Sequence, residues 1–275
     1  MRVMPIRVVT RKSGLTQLKA SFKKNWTHYM QEAVGLAIFV ISACFFSALF
    51  WGHGKTFHFS FPNEPIKNIS NGILMAITAL LIFYSPLTAP SGSHINPAVT
   101  FTFLRLNKMC KYDALFYIVF QFIGGTLAVY IMVAFLGNTL RDAPVNYAVT
   151  VPGKFGVVAA AITEYAIAII MMTMVLFTSN HHLLKKYTRV IAGCFVCLNV
   201  IFAGPVSGFG MNPARSFASA FPAHIYTAFW IYMLIPFAGM LSAAEIFLFV
   251  ERRKASFKRN ITHKEITSKE KNIVL

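Results

Sequence analysis

The chain has 275 residues, 56% of them hydrophobic and only 13% charged, with a mean hydropathy of +0.58. Soluble domains carry about 25% charged residues, so that class is excluded and a lipid environment is indicated. The net charge of +17 is compatible with nucleic acid or anionic lipid as a partner, and its distribution along the chain decides between them.

Residues 1–31 are basic and lack the apolar core and small-residue cleavage site of a signal peptide, so they read as a tail. A bilayer-spanning helix takes about 20 apolar residues. Six stretches meet that need: 32–51, 71–90, 113–137, 156–179, 188–206 and 226–250. Two shorter segments, 96–105 and 212–220, each open on Asn-Pro-Ala: Asn96, Pro97, Ala98 and Asn212, Pro213, Ala214. Proline suits the first position of a helix, where its missing N–H costs nothing. The expected fold is an all-α membrane protein of six transmembrane helices and two half-helices. A basic tail over 251–275 follows the membrane domain of 32–250.

Of the 26 Lys and Arg, 21 fall in the two tails and in the loops after the second and fourth spans. Six spans place those four regions on one side, which the positive-inside rule makes the cytoplasm. Both termini are therefore expected there, in an integral multi-pass protein of the cell (inner) membrane. The charge marks topology, and no nucleic-acid partner is expected. Of the four cysteines, Cys194 and Cys197 have CxxC spacing without a second pair, and read as helix packing rather than a metal site.

The chain repeats itself. SGSHINPAVTF (91–101) matches SGFGMNPARSF (207–217), Glu32 mirrors Glu164, and QFIGGTLA (121–128) mirrors PFAGMLSA (236–243). Three spans per half invert the second copy, giving repeats of about 32–137 and 156–250 in an arrangement that places function at the midplane. Two re-entrant loops then bring Asn96 and Asn212 together. Each caps its own half-helix and is expected to leave its amide N–H₂ free for a shared cavity. Both helix dipoles point positive ends there, which favours an oxygen lone pair and repels cations and protons.

These residues resemble the major intrinsic protein family, the aquaporins and glycerol facilitators, over roughly 30 to 250. The resemblance implies an aquaporin-like channel domain and a homotetramer with one pore per subunit; no cofactor or metal is expected. It also implies a role for Arg215, one of two charges between Val190 and Val250. At the centre of a lipid-facing helix an arginine costs roughly 2.5–3.5 kcal/mol. In the family, the arginine at this position lines the outer constriction. The rest of the filter departs from the water-selective pattern: Phe209 resembles glycerol facilitators, Val200 stands where histidine is frequent, and a gap-free count puts Ala76 at the helix 2 position. Against that, Ser216, Ala220 and Tyr232 resemble the water-channel side, whereas Met233 does not.

Among the remaining residues, Glu32 and Glu164 read as structural carboxylates holding the loops, and His94 as a pore-lining candidate. His181 and His182 read as a solvated loop, Gly124, Gly125 and Gly239 as close-packing positions, and Asn68-Ile-Ser as a glycosylation sequon in an outward loop. No nucleophile–base pair or carboxylate group suggests an enzyme. A coupled transporter would need more midplane ionisable groups than the two glutamates, Arg215 and Glu245. The expected function is a passive channel for water, driven by osmotic gradients and excluding ions and protons. The alternative is a facilitator of glycerol or another small neutral solute.

Overall fold

A computed structural model describes residues 13–52 and 63–273, and every regular element in them is helical. Arg2, Arg7, Arg11, Lys12 and Lys55, part of the topology reading, lie outside the described residues. Helix α1 (Gly14–Trp51) is followed by α2 (Glu64–Tyr84), the half-helix α3 (Pro97–Arg105), α4 (Lys111–Leu136) and a single turn, α5 (Asn138–Arg141). The second half repeats the order with α6 (Gly156–Asn180), α7 (Thr188–Phe202), a single turn α8 (Gly204–Ser207), the half-helix α9 (Pro213–Ala223) and α10 (Phe229–Ile273).

Five of these helices are by themselves long and apolar enough to cross a membrane. The expected sixth span is divided. Helix α7 has 15 residues and stops at Phe202, before Gly204-Pro205, and α8 continues the path to Ser207. Helix α2 also sits seven residues earlier than expected. Asn63 caps its start by accepting from the Ile66 N–H, and it ends at Tyr84 because Ser85 precedes Pro86 and is pushed out of the helical region.

The boundaries of the tails differ more. Helix α1 begins at Gly14, capped by the Ser13 side chain on the Thr16 N–H, and its 38 residues extend about 57 Å, well beyond a hydrocarbon core of about 30 Å. Ser21, Asn25 and Tyr29, one face of α1, all donate to Asp113 Oδ1 at 2.5, 3.0 and 2.6 Å. The basic segment is therefore helical and anchored to α4. Lysine, arginine and glutamate are good helix formers, so charge marks the membrane boundary without ending the helix.

The packing follows the repeat. Helix α1 lies along α4 and α6 along α10, each pair closed by a glycine. A Cβ at Gly124 would overlap the Ala33 carbonyl, and one at Gly239 would crowd the Tyr165 carbonyl and Ala168. Ala33 and Tyr165 each follow one of the mirrored glutamates, so these contacts fix where the carboxylates sit. The halves join through α2 and α7, where Gly72 meets the Cys197 carbonyl and Ile201, and Gly193 meets Leu80.

Replacing Gly124 with valine should lower the stability of the detergent-purified protein by about 1–3 kcal/mol or more, because backbone rather than a flexible side chain occupies the space. Gly204→Ala, which meets nothing nearer than 4.0 Å, should stay within about 0.5 kcal/mol. Thermal unfolding midpoints of the two variants make the comparison.

Candidate functional site

Two loops leave the helical register before α3 and α9. Their backbones are matched: Gly92, Ser93 and Ile95 have φ of 92, 50 and 41°, and Gly208, Phe209 and Met211 have φ of 80, 49 and 44°. Left-handed backbone at non-glycine residues costs on the order of 1–3 kcal/mol each and persists only where the surroundings enforce it. The enforcing groups are Glu32 and Glu164, both fully buried. Glu32 accepts from Ser91 Oγ (2.6 Å), His94 N (3.0 Å), Ile95 N (2.5 Å) and Gln121 Nε2 (2.8 Å). Glu164 accepts from Ser207 Oγ (2.6 Å), Gly210 N (2.8 Å) and Met211 N (2.5 Å). Tyr117 and Tyr232 complete the pattern by donating to the Ser91 and Ser207 carbonyls at 2.8 and 2.7 Å.

The asparagines meet. Asn96 Oδ1 caps α3 by accepting from Ala98 N (2.9 Å), and Asn212 Oδ1 caps α9 by accepting from Ala214 N (3.1 Å) and Arg215 N (3.3 Å). Pro97 and Pro213 open the half-helices, and Ala98 and Ala214 are buried against the core. The amide N–H₂ groups are not wholly free, because Asn96 Nδ2 donates to the Met211 carbonyl (2.9 Å) and Asn212 Nδ2 to the Ile95 carbonyl (2.6 Å). Each amide carries two hydrogens, so the reciprocal bonds lock the loops together and leave one donor on each side.

Both asparagines line a cavity of about 800 Å³. Along α2 its wall runs from Glu64 through Asn68, Asn71, Met75 and Ala79 to Phe83. That is about 28 Å at 1.5 Å per residue, close to the thickness of a hydrocarbon core. The first three of those side chains are polar and the last three apolar. Arg215, Phe209 and Val200 line the same cavity, and Arg215 Nη1 is buried with no hydrogen-bond acceptor among the described residues. His94 also lines it, stacked on Phe103 with centroids 4.7 Å apart and with Nδ1 3.2 Å from Thr100 Oγ1.

Ala76 does not line the cavity, and Asn71 and Met75 do. Ala76 is one turn from Gly72, on the α2 face that packs against α7, and a gap-free count between the repeats could not see that register. Asn68 is likewise inside α2 and faces the cavity, so the sequon is not in an outward loop. Glu245 pairs with Arg105 at 2.7 Å, and both are partly exposed, which removes it from the midplane candidates. His181 and His182 stack at 4.7 Å in an exposed turn. Sequence reading missed Tyr117, and took Gln121 only as the start of the QFIGGTLA match without a role. Tyr117 and Tyr232 each stand four residues before QFIG and PFAG, so extending the repeat comparison upstream finds both anchors.

Chemically, the cavity offers amide and guanidinium donors from Asn96, Asn212 and Arg215 among largely apolar walls. It suits a neutral molecule with an oxygen lone pair and disfavours a cation.

The sequence matches the Major intrinsic protein family over residues 19–247. It is 30% identical over 200 residues to aquaporin NIP2-3 of Zea mays, covering 70% of this chain and 62% of that protein. Over 158 residues it is 37% identical to aquaporin NIP1-4 of Oryza sativa subsp. japonica, covering 56% and 55%. Nodulin-26 of Glycine max is 31% identical over 159 residues, covering 57% and 56%. The chain thus spans less than two thirds of these relatives' own lengths. The fold is similar to the X-ray structure of the aquaglyceroporin from Plasmodium falciparum, with a TM-score of 0.65 at 18% identity, covering 80% of this chain and 94% of that one.

Glu164→Leu leaves the Gly210 and Met211 N–H groups buried without an acceptor, at about 1–3 kcal/mol each. The variant should lose about 2–6 kcal/mol in detergent thermal unfolding. Glu164→Gln keeps one carbonyl acceptor and should lose clearly less; equal losses would mean the loop does not depend on these bonds.

Proposed function

Because the chain belongs to the major intrinsic protein family, a family of membrane channels rather than enzymes, we propose that it is a passive, osmotically driven pore for water that excludes ions and protons. The observation that carries this reading is the cavity: it runs about 28 Å along α2 and is lined by the capping asparagines of both half-helices. Water arriving there meets the remaining Asn96 and Asn212 amide donors and two positive dipole ends. A permeating oxygen is held by its lone pairs while cations are repelled. Arg215 adds a fixed charge and donors in the outer half, with Phe209 and Val200 completing the constriction and His94 lining the inner half. That relatives are named aquaporins supports water as a permeant.

A second reading, a facilitator of glycerol or another small neutral solute, is favoured by one specific feature. Phe209, Val200 and Met75 present carbon surface where hydrocarbon parts of a solute can lie. Both readings share an integral multi-pass protein. We place its termini in the cytoplasm of the cell (inner) membrane and its subunits in a homotetramer, on the charge distribution and the family resemblance.

Stopped-flow light scattering on proteoliposomes tests this. A sucrose gradient should drive shrinkage well above the rate of empty vesicles, while proton leak stays at the empty-vesicle level. A glycerol gradient then separates the two readings: slow re-swelling favours a water channel and fast re-swelling a solute facilitator. Arg215→Val should raise cation leak; rates no higher than in empty vesicles for both gradients would sink the channel reading.

A further inference from the structure

A ten-residue segment occurs twice in the chain, outside the inverted repeat. KASFKKNWTH (19–28) in α1 and KASFKRNITH (254–263) in α10 agree at eight positions, and a ninth exchanges Lys for Arg. Both copies lie on helices, so equal spacing means equal faces. Both also stand on one side of the molecule. Ser21 and Asn25 of the first copy donate to Asp113, the third residue of α4. The second copy follows Glu245, which pairs with Arg105 at the end of α3, and residues 106–110 carry the chain from there to α4.

The first copy shows which of its side chains are already used. Ser21 and Asn25 bond Asp113, and the Phe22 ring packs 5.1 Å from that of Phe116. Lys19, Lys23 and Lys24 are exposed and make no ion pair among the described residues. Lys19 and Lys23 share a helix face with Trp26 and Met30, at i, i+4, i+7 and i+11. Trp26 is 52% and Met30 45% exposed, and Val34, a further turn inward, is 38% exposed. Cations outermost, then an indole, then apolar side chains is the order of a bilayer interface. The bonds to Asp113 set that interface level with the start of α4. The second copy repeats the basic triplet as Lys254, Lys258 and Arg259. Every residue from Glu251 to Phe257 is exposed, and Lys254 is paired only with Glu251 among the described residues, an exposed i, i+3 pair of small worth.

Topology accounts for an excess of lysines on one side, but not for one arrangement of them repeated at both ends of the membrane domain. We propose that each copy binds the phosphate-bearing headgroup of an anionic membrane lipid. Lys19 and Lys23 hold one beside the start of α4, and Lys254, Lys258 and Arg259 reach a second on the same leaflet. Clustered cations next to a membrane helix attract such headgroups over about a Debye length. A lipid fits better than a free anion because Trp26 and Met30 place carbon surface directly beneath the two lysines, where acyl chains run. The inference goes beyond the channel reading and does not depend on what the cavity conducts.

The test reconstitutes the full chain in vesicles of phosphatidylcholine and phosphatidylserine, extracts it in mild detergent and counts retained lipids by native mass spectrometry. Wild-type protein should retain phosphatidylserine in preference to phosphatidylcholine. Lys19→Gln with Lys23→Gln should remove one class of retained phosphatidylserine, and Lys254→Gln with Lys258→Gln and Arg259→Gln the other. Affinity at the altered site should fall about fivefold for each cation removed, the equivalent of about 1 kcal/mol. Lys19→Arg with Lys23→Arg should keep the lipid. Lys185→Gln with Lys186→Gln, exposed lysines outside both copies, should keep both classes. An equal loss in that last variant would mean that net charge alone attracts the lipid, and would overturn the assignment to the two copies. No preference for phosphatidylserine in the wild type would overturn it as well. Glycerophosphoserine, the same headgroup without acyl chains, should displace the lipid poorly; displacement as effective as by the intact lipid would overturn the lipid as occupant.

Discussion

Non-helical backbone in the middle of a membrane protein must find hydrogen-bond partners, and two buried carboxylates supply them here. Lipid offers none, and an unsatisfied N–H or C=O in that setting costs several kcal/mol. Glu32 and Glu164 each gather one serine hydroxyl and two successive loop N–H groups, which fixes loops whose φ values are otherwise unfavourable. Everything at the centre follows from that. The carboxylates orient the loops, the loops aim the Ile95 and Met211 carbonyls, and those carbonyls receive the asparagine amides of the opposite repeat. Without the carboxylates, the loop N–H groups would lose their acceptors, and the asparagine bonds between the two half-helix N-termini would lose the backbone that aims them.

The near-symmetry of this scaffold makes its departures informative. Gln121 adds a fourth donor to Glu32 and also donates to Thr100 Oγ1 at 3.1 Å, whereas Pro236, its counterpart, donates nothing. The first repeat is tied more tightly to its loop than the second. His94 sits in that tighter loop, boxed between Phe103, Tyr117 and Thr100. Arg215 and Phe209 sit on the other repeat, where no equivalent of Gln121 restrains the carboxylate. The scaffold is shared between the halves, and the side chains that vary the cavity are not.

The parts legible in the sequence were those written twice. Both Asn-Pro-Ala segments, both glutamates and the glycine contacts at Gly124 and Gly239 stand where the repeat places them, because each is a one-residue solution to a local geometric demand. What the sequence did not disclose was register. Whether Ala76 or Asn71 faces the cavity depends on how α2 rotates to bring Gly72 against α7, a contact between helices more than a hundred residues apart in the chain. Hydropathy also misjudged the ends. A window counting apolar residues ran past Tyr84 across two prolines and stopped α1 at its charges, although proline terminates a helix and lysine does not. The short α7 escaped for the reverse reason, since Gly204-Pro205 interrupts the helix without interrupting the apolar run.

The gradient of polarity along α2 bears on how such a cavity can be both permissive and selective. If polar groups lined its full length, a solute would exchange every hydration contact for a protein contact and would bind rather than pass. If none did, the desolvation cost would exclude polar molecules altogether. Along α2 the polar side chains Glu64, Asn68 and Asn71 come first, and Met75, Ala79 and Phe83 line the remainder. Further polar partners, the capping asparagines, Arg215 and His94, line the same cavity among apolar neighbours such as Val196, Val200 and Met240. A wall of this mixed kind compensates a neutral oxygen-bearing molecule at some positions and interacts weakly with it at others, so the lining lies between those two extremes.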